Sequence, residues 1–250
     1  MGQGAHVSEV DLDEAVGTIL VERGQGYGRA TEVPVHEPAP RVEADRQVRR
    51  DHTAFSANRV PKAVESLIRL FDVTGSLVIL ICALPVMILV ALLVKLTSSG
   101  RVLYRQERVG KGGRLFSLYK FRTMIDGAEK HVGPVLASRD DDRVTPVGRI
   151  LRRTRLDELP QLYNILRGDM SLVGPRPERP YFVQRHRALQ GIRLAVKPGL
   201  TGLAQIRSFY DLKPNHKVRY DYLYIQNRSL LLNVYILLQT IPVLFTKQGW

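Results

Sequence analysis

GRILRRTRLDELPQLYNILRGDMSLVGPRPERP, residues Gly148 to Pro180, is the stretch from which the rest of the chain can be interpreted. Asp157 and Glu158 stand just before Pro160, and proline is favoured in the first turn of a helix because its missing N–H would have no partner there. Apolar residues follow at helical spacing, at Leu159, Leu162, Tyr163 and Leu166. Gly168 then favours a helix end. The pattern predicts two adjacent carboxylates at a helix N-terminus, where unpaired N–H groups and the helix dipole favour anions.

The two acids are expected to have different roles, because neighbouring residues on a helix diverge by about 100°. One of them can attack or bind a reacting group while the other holds a metal. For the string Asp-Glu-Leu-Pro taken alone, an ordinary helix cap is the alternative interpretation.

Basic residues flank these acids on both sides. Arg149, Arg152 and Arg153 have the spacing i, i+3, i+4 and share one helical face, and Arg155 adds a fourth cation. Such a cluster either binds an anionic partner or forms a solvated surface. On the other side, the sequence GPRP encloses Arg176 between two prolines, which restrict its backbone. Arg176 can therefore bind a phosphate with little loss of entropy, although a rigid structural turn would have the same sequence.

Three motifs carry a resemblance to a known family. They are RRTRLDELPQLYNILRGDMSLVGPRP, KFRTM at Lys120 to Met124, and KPGLTGLAQI at Lys197 to Ile206. Together they resemble the bacterial sugar transferase family of monotopic phosphoglycosyl transferases, from about Val64 to the C-terminus. The resemblance implies an enzyme at the cytoplasmic face of the inner membrane that starts lipid-linked glycan assembly. Its substrates would be a nucleoside diphosphate sugar, such as a UDP-sugar, and polyprenyl (undecaprenyl) phosphate.

The resemblance also implies roles for individual residues. Asp157 would be the nucleophile that forms an aspartyl-phosphosugar and releases UMP, and Glu158 would bind Mg²⁺. Phosphate oxygens would be held by Lys120, Arg152 and Arg176, with Asp169 as a further candidate. Arg122 shares a strand face with Lys120 by the period of two, unless that face is simply an exposed charged one.

Two residues depart from the family pattern. Phe209 stands where an arginine is usual, and Arg207 is the candidate to replace it. Asn233 stands where an aspartate is common. These departures leave open how the nucleotide or sugar is held, and therefore which donor is used.

The charge is unevenly distributed. The formal net charge is +13, and residues 1–59 carry ten acids and seven arginines, so the remainder is +16. A basic region of this kind favours nucleic acid, anionic lipid or a nucleotide substrate, but no recognition helix or aromatic stacking array supports nucleic acid. The alternatives to an enzyme are a basic, membrane-tethered binding protein and an inactive membrane scaffold. Cys82 is the only cysteine, which excludes a disulfide within the chain.

Residues 1–58 are predicted to form a disordered or loosely structured tail without a cleaved signal peptide. Asp72 and Lys95 then bracket 22 uncharged residues, enough to cross a hydrocarbon core of about 30 Å. Pro85 near the middle predicts a kink, and both flanks are basic. Because the positive-inside rule would keep both flanks cytoplasmic, we predict a re-entrant helix hairpin over residues 59–100.

The remainder, residues 101–250, is predicted to be a cytoplasmic catalytic domain, giving an α+β, mostly helical, monotopic protein. Residues 102–122 predict a β-hairpin around the sequence GKGG. Arg179 to Arg193 predicts a basic amphipathic helix. Leu230 to Phe245 predicts interfacial helices on the bilayer, with a second transmembrane helix as the alternative. The aspartates of Arg139 to Thr145 predict a solvated loop, and the sequence leaves a homodimer open.

Overall fold

The computed structural model of the chain describes residues 61–129, 141–207 and 214–245, without the side chains of residues 214–217 and 244–245. The tail predicted over residues 1–58 lies outside the described residues. The helices and strands are, in chain order, α1 (Lys62–Thr97), β1 (Leu103–Val109), β2 (Leu115–Phe121), α2 (Pro146–Thr154), α3 (Gln161–Arg167), β3 (Ser171–Val173), α4 (Pro180–Arg185), β4 (Gly199–Thr201), α5 (Leu203–Arg207), α6 (Pro214–Gln226) and α7 (Leu230–Phe245).

The described residues are mostly helical and form two small sheets, which confirms the α+β class. Strands β1 and β2 form the predicted antiparallel hairpin, with Tyr104 opposite Lys120. Its turn uses Gly112 and Gly113, both at positive φ, a conformation that glycine adopts without a steric penalty. Strands β3 and β4 pair in parallel.

Helix α1 is 36 residues long and is apolar over most of its length. Among the described residues it is the one helix that is long and apolar enough to cross a membrane. Many of its large apolar side chains are exposed, such as Ile81 at 63%. An apolar surface of this extent is typical of contact with a membrane or a partner. The helix continues through Pro85, so the predicted division into two helices by a break is not confirmed.

Both halves of α1 pack against the rest of the protein. In the first half, Phe71 and Leu80 contact the main core, which is built from α3, β2, β3 and the C-terminal helices. In the second half, Val90 and Val94 pack with residues of β2 and α2. Leu159, which follows the two acids, contacts both clusters. The membrane-type helix is therefore part of the folded core.

Helix α3 lies between α1 and the hairpin, and this changes which of its side chains are buried. Leu162 is fully buried as expected, but Tyr163 is 54% exposed and Asn164 is fully buried. The amide of Asn164 donates to the carbonyl of Ser117 and accepts from the N–H of Tyr119, at 2.7 and 3.1 Å. Asn164 is therefore buried because it pairs with the backbone of β2.

The predicted amphipathic helix from Arg179 to Arg193 is wrong. The structure contains α4 followed by two 3₁₀ turns, Arg187–Leu189 and Gly191–Ala195. Gly191 has a positive φ of 64°, and Arg193 is buried in an ion pair with Asp221. A chain that reverses at Gly191 to bury Arg193 cannot present one continuous basic face to a membrane.

The glycines of the KPGLTGLAQI segment bring two backbone segments together. Gly199 starts β4 and lies against Gly174, so that a Cβ on Gly199 would lie 2.0 Å from the Gly174 nitrogen. The close approach is between two backbone segments of the protein, and it fixes the loop that carries Arg176.

Candidate active site

The two acids lie in a 3₁₀ turn, Leu156–Glu158, between α2 and α3. Helix α2 begins at its N-cap Thr145, whose hydroxyl accepts from the Gly148 N–H at 2.9 Å. It ends at Arg155, which has a φ of 59° and is the only described non-glycine residue at positive φ. This conformation is uncommon for a residue with a side chain, and it turns the chain sharply so that Asp157 is buried. The acids therefore lie just ahead of the N-terminus of α3, whose N-cap is Pro160.

Glu158 is held by two arginines at the same carboxylate oxygen. Arg176 donates to Glu158 Oε1 at 2.8 Å, and Arg155 lies 3.8 Å from that oxygen. Burial alone would raise the pKa of Glu158, but the positive charges of Arg176 and Arg155 outweigh it and hold the pKa below its usual range. The charge of Glu158 raises the pKa of Arg176 in turn. The pair therefore stays ionised.

Asp157 has the opposite shift. Its side chain is 6% exposed, and burial together with the negative charge of Glu158 raises its pKa to about 6, although Lys120 and Arg152 oppose the rise. Two adjacent carboxylates whose environments move their pKa values apart are typical of sites where the two groups have separate chemical roles.

Lys120 lies on β2 beside these acids. Burial lowers its pKa to about 8, with Asp157 opposing the change and Arg108 and Arg152 adding to it. Its ammonium nitrogen lies 5.3 Å from the ring centroid of Tyr104, a cation–π distance. Lys120 is therefore a desolvated cation next to the Asp157 carboxylate.

Two more arginines complete the cationic surroundings. Arg152 of α2 donates from Nε to the hydroxyl of Thr123 at 2.8 Å, and burial lowers its pKa. Arg108 of β1 donates to the carbonyl of Pro177 at 2.9 Å, and burial followed by the charge of Arg176 lowers its pKa to about 10. Arg108 is a residue that the sequence analysis did not select, because only the fold brings β1 next to the GPRP loop.

The site thus combines two carboxylates with five cationic side chains, namely Lys120, Arg108, Arg152, Arg155 and Arg176. Burying cations costs free energy unless anions compensate for it. Glu178 also acts on Arg108 and Arg176, but the five cations still outnumber these carboxylates, so the arrangement favours a ligand with several negative charges. A diphosphate has this property, and its oxygens match arginine and lysine donors.

Arg193 holds the GPRP loop in place. It donates to the carbonyl of Arg176 at 2.8 Å and to the carboxylate of Asp221 at 2.6 Å. Arg193 is 5% exposed, so this contact is internal. The sequence analysis placed Arg193 at the end of a basic amphipathic helix and missed this role, since no local signal distinguishes a buried arginine from a surface one.

The structure places the other predicted binding residues in different contacts. Arg122 is buried and donates to the carbonyl and hydroxyl of Ser98, at 2.8 and 2.7 Å, where it holds the end of α1. Asp169 pairs with Arg167 at 2.8 Å. Arg207 is exposed, near the hydroxyl of Tyr235. The structure therefore brings Lys120, Arg152 and Arg176 to the two acids, whereas Arg122, Asp169 and Arg207 have contacts elsewhere.

Of the two residues that depart from the family pattern, the structure describes Asn233. Asn233 is fully buried and accepts a hydrogen bond from Tyr224 at 2.9 Å, and Tyr224 also bonds the carbonyl of Val173. The departure at Asn233 therefore lies in the protein core. Phe209 lies outside the described residues.

The loop expected to be solvated contains a buried Asp141 paired with Arg143 at 2.6 Å.

The acids have the donor chemistry that Mg²⁺ prefers. Asp157 and Glu158 are hard oxygen donors on one turn, and the described residues contain no group of three or more His, Cys, Asp or Glu that could hold a metal ion alone. Mg²⁺ is commonly bound by one or two carboxylates plus substrate phosphates. The two acids therefore fit a Mg²⁺ ion whose remaining ligands come from the substrate. The described residues do not fit a metal ion that is bound by protein alone.

Comparison with known proteins identifies the family of the chain. The family model described as "Bacterial sugar transferase" matches residues 63–247. This range covers most of the chain, from the start of α1 to beyond α7, and includes every residue of the site described above. The chain belongs to the bacterial sugar transferase family.

Several curated relatives are similar over the same region. An Aeromonas hydrophila UDP-N-acetylgalactosamine-undecaprenyl-phosphate N-acetylgalactosaminephosphotransferase is 42% identical over 184 residues, covering 71% of this chain and 43% of the relative. A Caulobacter vibrioides UDP-glucose:undecaprenyl-phosphate glucose-1-phosphate transferase is 42% identical, with 75% and 73% covered. The exopolysaccharide production protein ExoY of Sinorhizobium fredii is 38% identical, with 72% and 86% covered. The chain thus spans less than half of some relatives and most of others.

Proposed function

We propose that this protein transfers a phosphosugar from a nucleoside diphosphate sugar, most simply a UDP-sugar, to polyprenyl (undecaprenyl) phosphate. The observation that carries the proposal is the buried Asp157–Glu158 turn enclosed by five cations. The names of relatives with different sugars, including glucose, galactose and N-acetylgalactosamine, support the acceptor and the reaction type. The product would initiate a lipid-linked glycan such as exopolysaccharide, capsule, O-antigen or a glycoprotein glycan.

In the first step, a carboxylate oxygen of Asp157 attacks the β-phosphorus of the UDP-sugar. The bond between that phosphorus and the oxygen bridging to the α-phosphorus breaks, and UMP leaves with the bridging oxygen. The phosphosugar remains on Asp157 as an acyl phosphate, a covalent intermediate of a known carboxylate type. Because the pKa of Asp157 is about 6, the carboxylate is mostly ionised near neutral pH and can act as the nucleophile.

In the second step, a phosphate oxygen of the polyprenyl phosphate attacks the same phosphorus. The bond to Asp157 breaks and its carboxylate is regenerated, while the sugar leaves as a polyprenyl diphosphate sugar. Both steps crowd phosphate oxygens around one buried carboxylate. Cations held in position by the protein stabilise the charge that develops on those oxygens.

The surrounding residues have separate roles in this proposal. Lys120, Arg152 and Arg176 bind phosphate oxygens, and Arg108 adds a further positive charge near Arg176. Glu158 is the residue we propose to hold Mg²⁺. When bound, Mg²⁺ supplies positive charge that offsets the crowded phosphate oxygens.

The membrane-facing parts agree with a lipid acceptor. We propose that α1 enters and leaves the inner membrane from its cytoplasmic side as a re-entrant hairpin bent at Pro85, because basic residues flank both ends of the apolar segment. We also propose that α7 lies at the interface with anionic lipid, since it is apolar but short for a span. Labelling of a cysteine in the N-terminal tail by an impermeant reagent from the periplasmic side would contradict this topology.

The reaction is tested by nucleotide release from purified protein in detergent or nanodiscs with undecaprenyl phosphate and Mg²⁺. A panel of UDP-sugars is supplied to the wild type and to Asp157→Ala. We expect UMP from one or a few donors and none above background from the variant. Release of UDP instead would indicate an ordinary glycosyl transfer and would contradict the covalent mechanism. Absence of any nucleotide release would favour an inactive membrane scaffold.

A further inference from the structure

We propose that Arg69 and Asp72 of α1 are positioning residues. They fix the positions of Asp157, Glu158 and Arg176 relative to one another. The inference rests on the function proposed above and extends it to the membrane helix. It assigns to the first turns of α1 a direct influence on the geometry of the site.

Arg69 holds the C-terminal end of α3. Its guanidinium donates to the carbonyls of Ile165 and Leu166, at 2.6 and 2.8 Å. The last four carbonyls of a helix have no partner within the helix, and a cation there also complements the helix dipole. Helix α3 begins three residues after Glu158. Arg69 therefore fixes the far end of the element that follows the two acids.

Asp72 holds β3. It is 2% exposed, and its Oδ1 accepts from the hydroxyl of Ser171 and the N–H of Leu172, both at 2.9 Å. A carboxylate buried on an otherwise apolar helix costs free energy unless it makes such bonds. Strand β3 ends at Val173, and Gly174 and Pro175 lead directly to Arg176. Asp72 therefore fixes the element that precedes Arg176.

The two anchored elements meet at the active site. Arg69 and Asp72 have the spacing i, i+3 and lie on one face of α1. From this face α3 leads back to Glu158 and β3 leads forward to Arg176, whose side chains meet at 2.8 Å. Both elements are short, with seven and three residues. A displacement of α1 would therefore change the separation between Arg176 and the carboxylates.

The first test compares variants at these two positions by UMP release at saturating substrates. We expect Asp72→Ala and Arg69→Met to lower kcat by about tenfold or more while KM for the UDP-sugar changes less than threefold. Asp72→Asn keeps the accepting oxygen, and we expect it to recover most of the activity. Thr74→Ala, an exposed position on the same helix, is the matched control and should behave as the wild type. A wild-type kcat for Asp72→Ala or Arg69→Met would overturn the proposal.

A double-mutant cycle separates positioning from general destabilisation. If Asp72 acts by placing Arg176, Asp72→Ala should reduce kcat less than twofold further in an Arg176→Ala background, because coupled residues are not additive. If the losses multiply fully, Asp72 does not act through Arg176 and the proposal is wrong.

Amide hydrogen exchange in nanodiscs tests the positioning role without requiring enzyme turnover. We expect faster exchange over residues 156–176 in Asp72→Ala and in Arg69→Met, with unchanged exchange in α7 and in Thr74→Ala. Unchanged exchange over residues 156–176 would overturn the positioning role even if the wild type releases UMP. Conversely, a wild type that releases no UMP would contradict the proposed function, while exchange would still decide whether α1 positions these residues.

Discussion

Arg176 donates a 2.8 Å hydrogen bond to Glu158 across 18 residues of sequence, and this pair connects the GPRP loop to the 3₁₀ turn that contains the two acids. The pair keeps Glu158 ionised next to an Asp157 whose pKa is raised. The two acids are adjacent in sequence, yet among the described residues only Glu158 has a guanidinium bonded to its carboxylate. This asymmetry is the physical basis for giving them different roles.

Glu158→Gln is expected to weaken the dependence on metal selectively. The amide keeps the size of the side chain but loses the charge that pairs with Arg176 and that the proposed Mg²⁺ would need. We expect the Mg²⁺ concentration for half-maximal UMP release to rise by at least about tenfold, since even outer-shell losses cost about 10–100-fold in metal affinity. Titration of Mg²⁺ measures this, with Glu107→Gln on the exposed face of β1 as the control. An unchanged Mg²⁺ requirement would exclude Glu158 as the ligand.

Arg176→Ala is expected to lower kcat/KM for the UDP-sugar by about 10²–10³-fold, the usual cost of losing one positioned donor to a developing oxyanion. The variant also leaves Glu158 without its closest partner. Arg153→Ala removes an exposed arginine from α2, and this control should lose less than threefold. Equal losses in the two variants would mean that the effect is one of net charge rather than of the site.

The pH profile is expected to depend on Lys120. Its pKa of about 8 in the folded protein means that its positive charge disappears as the pH rises through 8, and kcat/KM, which reports the free enzyme, should fall there. Lys120→Arg keeps a cation at high pH and should extend the plateau. Because the pKa of Lys120 is lowered in the folded protein, burying the charged side chain reduces the free energy of unfolding most below about pH 8. This reduction disappears as the pH approaches 10.5, the ordinary pKa of lysine. Identical profiles for the wild type and Lys120→Arg would contradict this assignment.

Asn164→Leu is expected to destabilise the protein without altering the chemical groups of the site. The change leaves the carbonyl of Ser117 and the N–H of Tyr119 without their buried partner. Each unpaired group costs about 1–3 kcal/mol, so the free energy of unfolding should fall by about 2–6 kcal/mol. Thermal unfolding in detergent measures the loss, and Tyr163→Phe, which keeps the ring contact with Tyr119, is the control. A melting temperature equal to the wild type would show that the hairpin does not depend on Asn164.

The sequence predicted the parts of the fold that depend on local chemistry. The glycines of the β1–β2 turn and the helix end at Gly168 each limit the backbone directly, and the structure agrees with them. The uncharged segment of α1 was likewise readable from composition.

The remaining features depend on contacts between distant residues. In the sequence, Asp72 indicated only where an apolar segment begins. In the structure, it is bonded to β3 about a hundred residues away. Arg193 and Arg122 looked like surface or phosphate-binding cations, and both are buried against other parts of the chain. No local pattern distinguishes a charged side chain that faces solvent from one that holds two elements together.

The most direct test of the account is to identify the covalent intermediate. Purified protein is incubated with Mg²⁺ and the donor found by UMP release, without polyprenyl phosphate, and its peptides are analysed by mass spectrometry. The account predicts a phosphosugar on Asp157, formed with an equal amount of UMP and removed when undecaprenyl phosphate is added. A phosphosugar on any other side chain, or UMP release that requires undecaprenyl phosphate and leaves no adduct, would contradict it.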